Sequence, residues 1–321
     1  MEGAMSDLGS MYFGLFLLFA TIGGAAVLTW FERRLLGIWQ DRYGPNRLGP
    51  FGIGQVAADM IKLLTKDDWV PPFSDRVVFI FAPTAIVVAM MLGFAVVPFG
   101  PDLYVIDLNI GLLFFLGMTS LAVYSVLLAA LASNNKYALL GGLRSAAQMI
   151  SYEVFMGLSL MGVVMLTGSF SLRAIVEAQA DLWNFIPQFL GLFTFVIAGI
   201  AESHRLPFDL PEAEHELTAG FHTEYAGMKF AMFMLGEYLG LILISCMIVA
   251  LFFGGWLGPF LPPFVWFCLK TFVVICFFIL LRAAIPRPRY DQLMTWGWKY
   301  MLPLTLFNVV ATGAIALAMR G

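Results

Sequence analysis

Residues 229–253 read KFAMFMLGEYLGLILISCMIVALFF, twenty-five positions carrying only two charges, Lys229 and Glu237. A helix needs about 20 mostly apolar residues to cross the hydrocarbon core of a bilayer. The stretch therefore reads as a spanning helix, with one carboxylate set inside it. The rest of the chain is alike. Of its 321 residues, 60% are hydrophobic and 12% charged, with a mean hydropathy of +0.86. One soluble core cannot hide that much apolar surface, so the chain belongs in a bilayer.

Eight such runs occur, at about 11–31, 77–99, 110–132, 150–167, 185–201, 229–253, 264–285 and 299–320. The expected fold is an all-α integral membrane protein, a single polytopic domain over 1–321. An even number of spans puts both termini on one side. The first loop opens with Arg33 and Arg34, whereas the N-terminal tail carries Glu2 and Asp7 and no base. Cytoplasmic segments collect Lys and Arg, so the termini are expected on the periplasmic side. Under that assignment 15 of the 18 Lys and Arg face the cytoplasm, with Arg173 and Arg320 outside and Lys270 within a span. The N-terminus has no basic region ahead of its apolar run and does not resemble a cleaved signal peptide.

One cytoplasmic segment is not a simple loop. In FGIGQVAADMIKLLTK, residues 51–66, Gln55, Asp59, Lys62 and Lys66 share one helical face, and Val56, Met60, Leu63 and Leu64 another. It reads as a helix lying in the interface plane. A short soluble helix packed on the protein is the plainer alternative. The glycines and prolines of GPNRLGP, residues 44–50, and Pro71 and Pro72 bound it.

Charges within or beside spans cost a few kcal/mol on the lenient insertion scales, so those retained face a partner or a wet cavity. Glu237 and Lys270 lie inside spans and suggest a functional polar pathway, with a buried structural salt bridge as the alternative. Glu153 opens a span in SYEVF, where an acid suits the helix dipole. Glu32 closes the first span beside two arginines, where a local ion pair would suffice. The acidic cytoplasmic loop 202–228 holds Glu202, Asp209, Glu212, Glu214, Glu216 and Glu224 together with all three histidines, His204, His215 and His222. Carboxylates so clustered titrate as a coupled set able to hold and pass protons, and histidines assist near neutral pH. A solvated acidic turn capped by Asp209 is the plain alternative.

Several chemistries lack their residues. No span contains a histidine for a haem, no GxxxxGK[ST] binds phosphate, and Cys246, Cys268 and Cys276 have no ligand spacing and read as small core residues. GPFGIG has no βαβ context and reads as a turn. No metal site, no redox cofactor bound by this chain and no nucleic-acid partner is expected.

Four segments, ERRLLGIWQDRYGPNRLGPFGIGQVAADMIKLLTKDDW (32–69), NNKYALLGGLRSAAQMISYEVFMGLSL (134–160), AESHRLPFDLPEAEHELTAGFHTEYAGMKFAMFMLGEY (201–238) and RAAIPRPRYDQLM (282–294), closely resemble the NuoH family. That family is the membrane subunit of the proton-pumping NADH:quinone oxidoreductase, respiratory complex I, and the counterpart of mitochondrial NADH dehydrogenase subunit 1. The resemblance spans essentially the whole chain. It implies eight spans at the heel of the membrane arm, beneath a quinone chamber. The chamber and its access surface match Glu32, Arg33, Arg34, Asp59, Lys62, Lys66, Arg282, Arg287 and Arg289. The acidic proton route matches Glu153, Glu202, Asp209, Glu212, Glu214, Glu216, Glu224 and Glu237. Implied partners are small membrane subunits, antiporter-like subunits, the quinone-site and iron-sulfur subunits of the hydrophilic arm, quinone (ubiquinone or menaquinone) and lipids. Flavin mononucleotide and iron-sulfur clusters belong to those partner subunits, and the implied home is a bacterial inner membrane. Two positions depart from the family pattern: His204 stands for a frequent asparagine, and Asp67 for a glutamate.

Two rival readings draw on some of the same residues. A homologous subunit of a membrane-bound hydrogenase or formate hydrogenlyase would share the fold without quinone. An autonomous cation/proton antiporter is suggested by Lys270 and Glu237.

Overall fold

The computed structural model describes residues 7–209 and 219–320. Among these, every regular element is a helix. The long helices are α1 (Asp7–Trp39), α3 (Arg76–Phe94), α4 (Gly111–Ala132), α5 (Lys136–Thr167), α8 (Gly227–Phe252) and α9 (Pro263–Ala284). Shorter ones are α2 (Gln55–Thr65), α6 (Leu172–Glu177), α7 (Phe189–Glu202) and α10 (Tyr290–Trp296), the last running through a π-helical turn (Gly297–Met301) into α11 (Leu302–Arg320). Seven helices, counting α10 through α11 as one, are long and apolar enough to cross a membrane. The chain is thus a multi-pass membrane protein. The run expected at 185–201 is helical only over the 14 residues of α7, roughly 21 Å at 1.5 Å per residue. That is shorter than the ~30 Å hydrocarbon core. Turns over 184–188, where Asn184 donates to the Leu251 carbonyl at 2.9 Å, take the place of its first turn.

Helix α8 stands at the centre. From Leu239 to Phe252 nearly every one of its residues is buried, as expected of a helix apolar all round. It packs against α1, α3, α7 and α9, while α3, α4, α5 and α7 form a sequence of neighbours around it. Helices α1, α9 and α11 leave much of their apolar surface exposed, for example Phe19, Phe272 and Val310. Cys246 is buried, but Cys268 is exposed and Cys276 half-buried on α9, which corrects their reading as three core residues.

Two helices outrun their apolar cores. Helix α5 begins at Lys136, capped by Asn135 Oδ1 accepting from Tyr137 N at 3.0 Å, so Arg144 lies on it and Glu153 is not in a first turn. Its fit against α4 depends on Gly142, where a Cβ would stand 2.2 Å from that of Ala130. Small residues at such contacts let helix backbones approach within a membrane. Helix α1 continues past its apolar part through Glu32 to Trp39, then the chain turns back over GPNRLGP. There Gly52, at φ +75°, tolerates no side chain: a Cβ would fall 2.3 Å from the Pro45 carbonyl oxygen. GPFGIG is therefore a turn.

Helix α2 turns Gln55 and Asp59 of its polar face toward the protein. Asp59 accepts from Arg33 on α1 at 2.9 Å and from Gln55 at 2.8 Å, whereas Ile61 and Leu64 are exposed. A soluble helix packed on the protein would bury those apolar residues. Lys62 and Lys66 are exposed.

The closeness at Gly142 makes a direct prediction. Gly142→Ala should destabilise the solubilised protein by about 1–3 kcal/mol through overpacking, read as a lowered thermal unfolding midpoint.

Candidate functional site

The short helix α7 ends at Glu202, and the chain leaves it through His204, whose φ of +49° is the left-handed turn needed to send Arg205 back under the bundle. Arg205 is the centre of the site. Its Nη1 donates to both carboxylate oxygens of Glu32, at 3.1 and 2.9 Å, and its Nε lies 2.7 Å from Glu237 Oε1. The guanidinium also lies over the Tyr238 ring, 4.1 Å from its centroid. Glu32 further accepts from Tyr238 Oη at 2.9 Å and from Arg282. Helices α1, α8 and α9 and the segment after α7 thus meet in one buried cluster of two acids and two bases. Glu32 is 2% and Arg205 6% exposed, so the charges are removed from water and must neutralise one another. Burial opposes the charge on Arg205, but Glu237 and Glu32 outweigh it and hold its pKa above the ordinary value.

This cluster forms one wall of a cavity of about 550 Å³ that also touches Arg33, Arg42, Tyr43, His204 and Asp209. Asp209 pairs with Arg287 at 2.8 Å. Behind the cavity is a narrower void of about 20 Å³ bordered by Glu202, Ser203, His204 and Glu237 among apolar side chains. Glu202 is 2% exposed, and neither of its carboxylate oxygens has a hydrogen-bond partner among the described residues. The charge of Glu153 bears on it, and Glu153 accepts from Ser120 on α4. The loop's return is seated where Gly141 of α5 meets Gly220, and Glu224 accepts from Asn135 at 2.7 Å.

His204 and His222 are both held to pKa values of about 4, in each case chiefly by burial and for His204 also by His222. Both are neutral at pH 7. His204 shares a 2.7 Å hydrogen bond between Nε2 and Ser145 Oγ.

The structure therefore joins Glu32, Arg33, Asp209, Glu237 and Arg282 around one cavity and sets Arg287 at its edge through Asp209. Glu202 lies behind it on the void, and the charge of half-buried Glu153 bears on Glu202. Glu32 pairs with Arg205 and Arg282, which corrects the local pairing expected with its neighbours Arg33 and Arg34. Arg34 instead donates to the Pro45 and Phe51 carbonyls and fixes the turn. Arg289 is exposed beside Asp291. Glu212, Glu214, Glu216 and His215 lie outside the described residues. Arg205 and Tyr238 were not singled out from the sequence. Each stands beside a residue that was, in HRLPFD and GEY, and only the tertiary pairing distinguishes it.

Lys270 does not meet Glu237. Its Nζ donates to the Phe253, Gly255 and Leu257 carbonyls at 2.7, 3.1 and 2.6 Å, closing the C-terminal end of α8. About sixteen residues of helix, roughly 24 Å, separate the two.

The profile of a protein family described as NADH dehydrogenase matches residues 2–313. A subunit of the NADH-quinone oxidoreductase of Methylococcus capsulatus (strain ATCC 33009 / NCIMB 11132 / Bath), the one designated H, is 65% identical over 304 residues, covering 94% of this chain and 96% of its own. The chain belongs to the NADH dehydrogenase family, and within it to the NuoH branch.

Removing the central base should be costly. Arg205→Met leaves Glu32 and Glu237 buried without it, a loss of about 3–5 kcal/mol. We expect a sharply reduced yield of folded protein, partly recovered by adding Glu237→Gln. The histidine makes a pH prediction as well. An unfolded imidazole titrates near 6.5 and His204 near 4. Its contribution is present above pH ~6.5 and lost as the pH falls toward 4, because the unfolded chain takes up the proton first. His204→Asn should make the unfolding midpoint fall less steeply between those pH values.

Proposed function

We propose that this chain is the membrane subunit of a bacterial proton-pumping NADH:quinone oxidoreductase, with eight spans, both termini on the periplasmic side and the site on the cytoplasmic side. The cavity receives the quinone, whose long tail enters from the bilayer beside α1, α2 and α8. The headgroup is reduced by an iron-sulfur cluster of a neighbouring soluble subunit, and the chain itself carries no redox centre. Reduction of a quinone to a quinol takes up two electrons and two protons. The resulting change in charge and proton demand in the cavity shifts the coupled protonation of the acidic set, and the shift reaches Glu237, Glu202 and Glu153. Antiporter-like subunits alongside convert that shift into pumping.

The observation that carries this reading is the continuity of polar groups from the cavity inward. Glu237 borders both the cavity and the void, Glu202 borders the void with both oxygens unsatisfied among the described residues, and the charge of Glu153 bears on Glu202. A buried carboxylate without hydrogen bonds favours its protonated form, because desolvation penalises the charge. Such a group suits proton transfer better than structure, since a merely structural carboxylate would be paired. The name of the Methylococcus relative supports the quinone enzyme over a hydrogenase. Lys270 donates to the carbonyls of Phe253, Gly255 and Leu257, away from Glu237, which counts against a joint role of the two in an autonomous antiporter.

In the assembled complex reconstituted in liposomes, Glu202→Gln and Glu153→Gln should each lower quinone-coupled proton pumping by roughly a hundredfold or more, the low side of what a positioned proton-transfer group contributes. Assembly is checked by native electrophoresis. Pumping at the wild-type rate in both variants would refute the assignment of these two groups.

A further inference from the structure

On the other side of the segment that carries Arg205 lies a second cavity, of about 490 Å³, which shares no lining residue with the first. Leu206 and Asp209 border the first cavity, and Pro207 and Phe208 the second. It is a groove along the bundle. Phe193, Val196, Ile197 and Ile200 recur at the spacing of one face of α7 and form one wall. Phe277, Leu281 and Ile285, at steps of four from α9, form another. Pro286 and Pro288 close the groove where the chain leaves α9 for α10.

The lining decides what can fill it. Among the described residues, Gln292 and the indole of Trp296 are its only polar side chains, and Gln292 Oε1 already accepts from Arg289 N at 3.0 Å. A held water needs two to four polar partners, so the contents are apolar. The groove runs from Phe193 to Ile200 and from Phe277 to Ile285, roughly 10–12 Å at 1.5 Å per residue. That nearly matches one leaflet of a hydrocarbon core ~30 Å thick. A spanning helix of a partner would need a trough of the full thickness, and this one ends at Phe193 and Phe277.

The end at Pro288 is basic. Arg287 and Arg289 flank that proline, and Arg144 lies over the Tyr290 ring, 5.0 Å from its centroid. Arg287 is held by Asp209 at 2.8 Å, whereas the Arg289 side chain is 78% exposed and meets an equally open Asp291 at 3.2 Å. Such an exposed pair is weak. A guanidinium takes a phosphate through two parallel hydrogen bonds and a full charge interaction.

We propose that the groove seats one acyl chain of a phospholipid from the leaflet on the cavity's side, with the lipid phosphate on Arg289. Basic residues beside clefts between spanning helices hold lipid headgroups in this way. The acyl chain lies against Phe208, whose carbonyl accepts from Gln148 at 2.9 Å. It thereby supports, from the apolar side, the segment that carries Arg205 and Asp209.

The test uses the assembled complex in phosphatidylcholine nanodiscs doped with a phosphatidylglycerol that carries a diazirine in one acyl chain. After irradiation, adducts are mapped by peptide mass spectrometry, with exposed Val310 of α11 as the reference for unspecific lipid contact. We expect adducts on 193–200 and 277–285 to exceed that reference severalfold. I197W, which fills the groove, should return them to the reference level, and R289A should lower them severalfold. Wild-type labelling no greater than at Val310 would overturn the proposal, as when side chains of a partner subunit cover the groove. Labelling unchanged in either variant would overturn it too, and so would labelling abolished by excess long-tailed quinone, which would make the groove a site for the quinone tail. Should I197W fail to assemble, R289A, whose side chain is exposed, decides alone.

Discussion

The buried guanidinium of Arg205, set between Glu32 and Glu237, is the constraint on which the site depends. It ties together the ends of α1 and α8 and the segment leaving α7, and through Glu32 it also draws in Arg282 of α9. Charges this deep in an apolar bundle are tolerated only as a neutral set. The network therefore fixes how four elements converge, and any shift of charge beside it is felt by every member. That is the physical basis for linking events in the cavity to a proton-accepting group such as Glu202, some distance inward.

The same network separates two kinds of acid. Glu32 accepts hydrogen bonds from two arginines and a tyrosine, which stabilise its ionised form. Among the described residues Glu202 has none of these supports, and the void it borders is apolar apart from Ser203, His204 and Glu237. Two carboxylates on neighbouring elements are thereby given opposite preferences by their surroundings. One is a fixed charge that shapes the cavity, and the other is suited to take and release a proton in the proposed mechanism.

Much of this was legible in the residues. The long apolar runs set the helices, and the spacing of Gln55, Asp59, Lys62 and Lys66 against Val56, Met60, Leu63 and Leu64 marked α2 as a two-faced helix. Glu237 stood out as a lone acid in an apolar run. Other features were not legible, for physical reasons. Helices do not stop where apolarity stops, so α1 and α5 run on past the expected ends of their spans, and α7 is cut short by turns that hydropathy does not register. Ion pairing across the bundle is a tertiary property. Arg33 and Arg34 stood beside Glu32 in sequence, yet helical geometry turns them toward Asp59 and the Pro45 turn and leaves Glu32 to Arg205 and Arg282. Lys270 was conspicuous in its span for the same reason as Glu237, but it serves the carbonyl end of α8.

The central claim is that reduction of quinone in the cavity changes the protonation of buried carboxylates in this chain. Redox-induced infrared difference spectra of the assembled complex, recorded in the protonated-carboxyl C=O region, test it most directly. The account predicts a carboxyl band that changes when quinone is reduced, shifts in deuterium oxide and is missing in the Glu202→Gln protein. A spectrum with no carboxyl change on quinone reduction, or one that Glu202→Gln leaves intact, would contradict it.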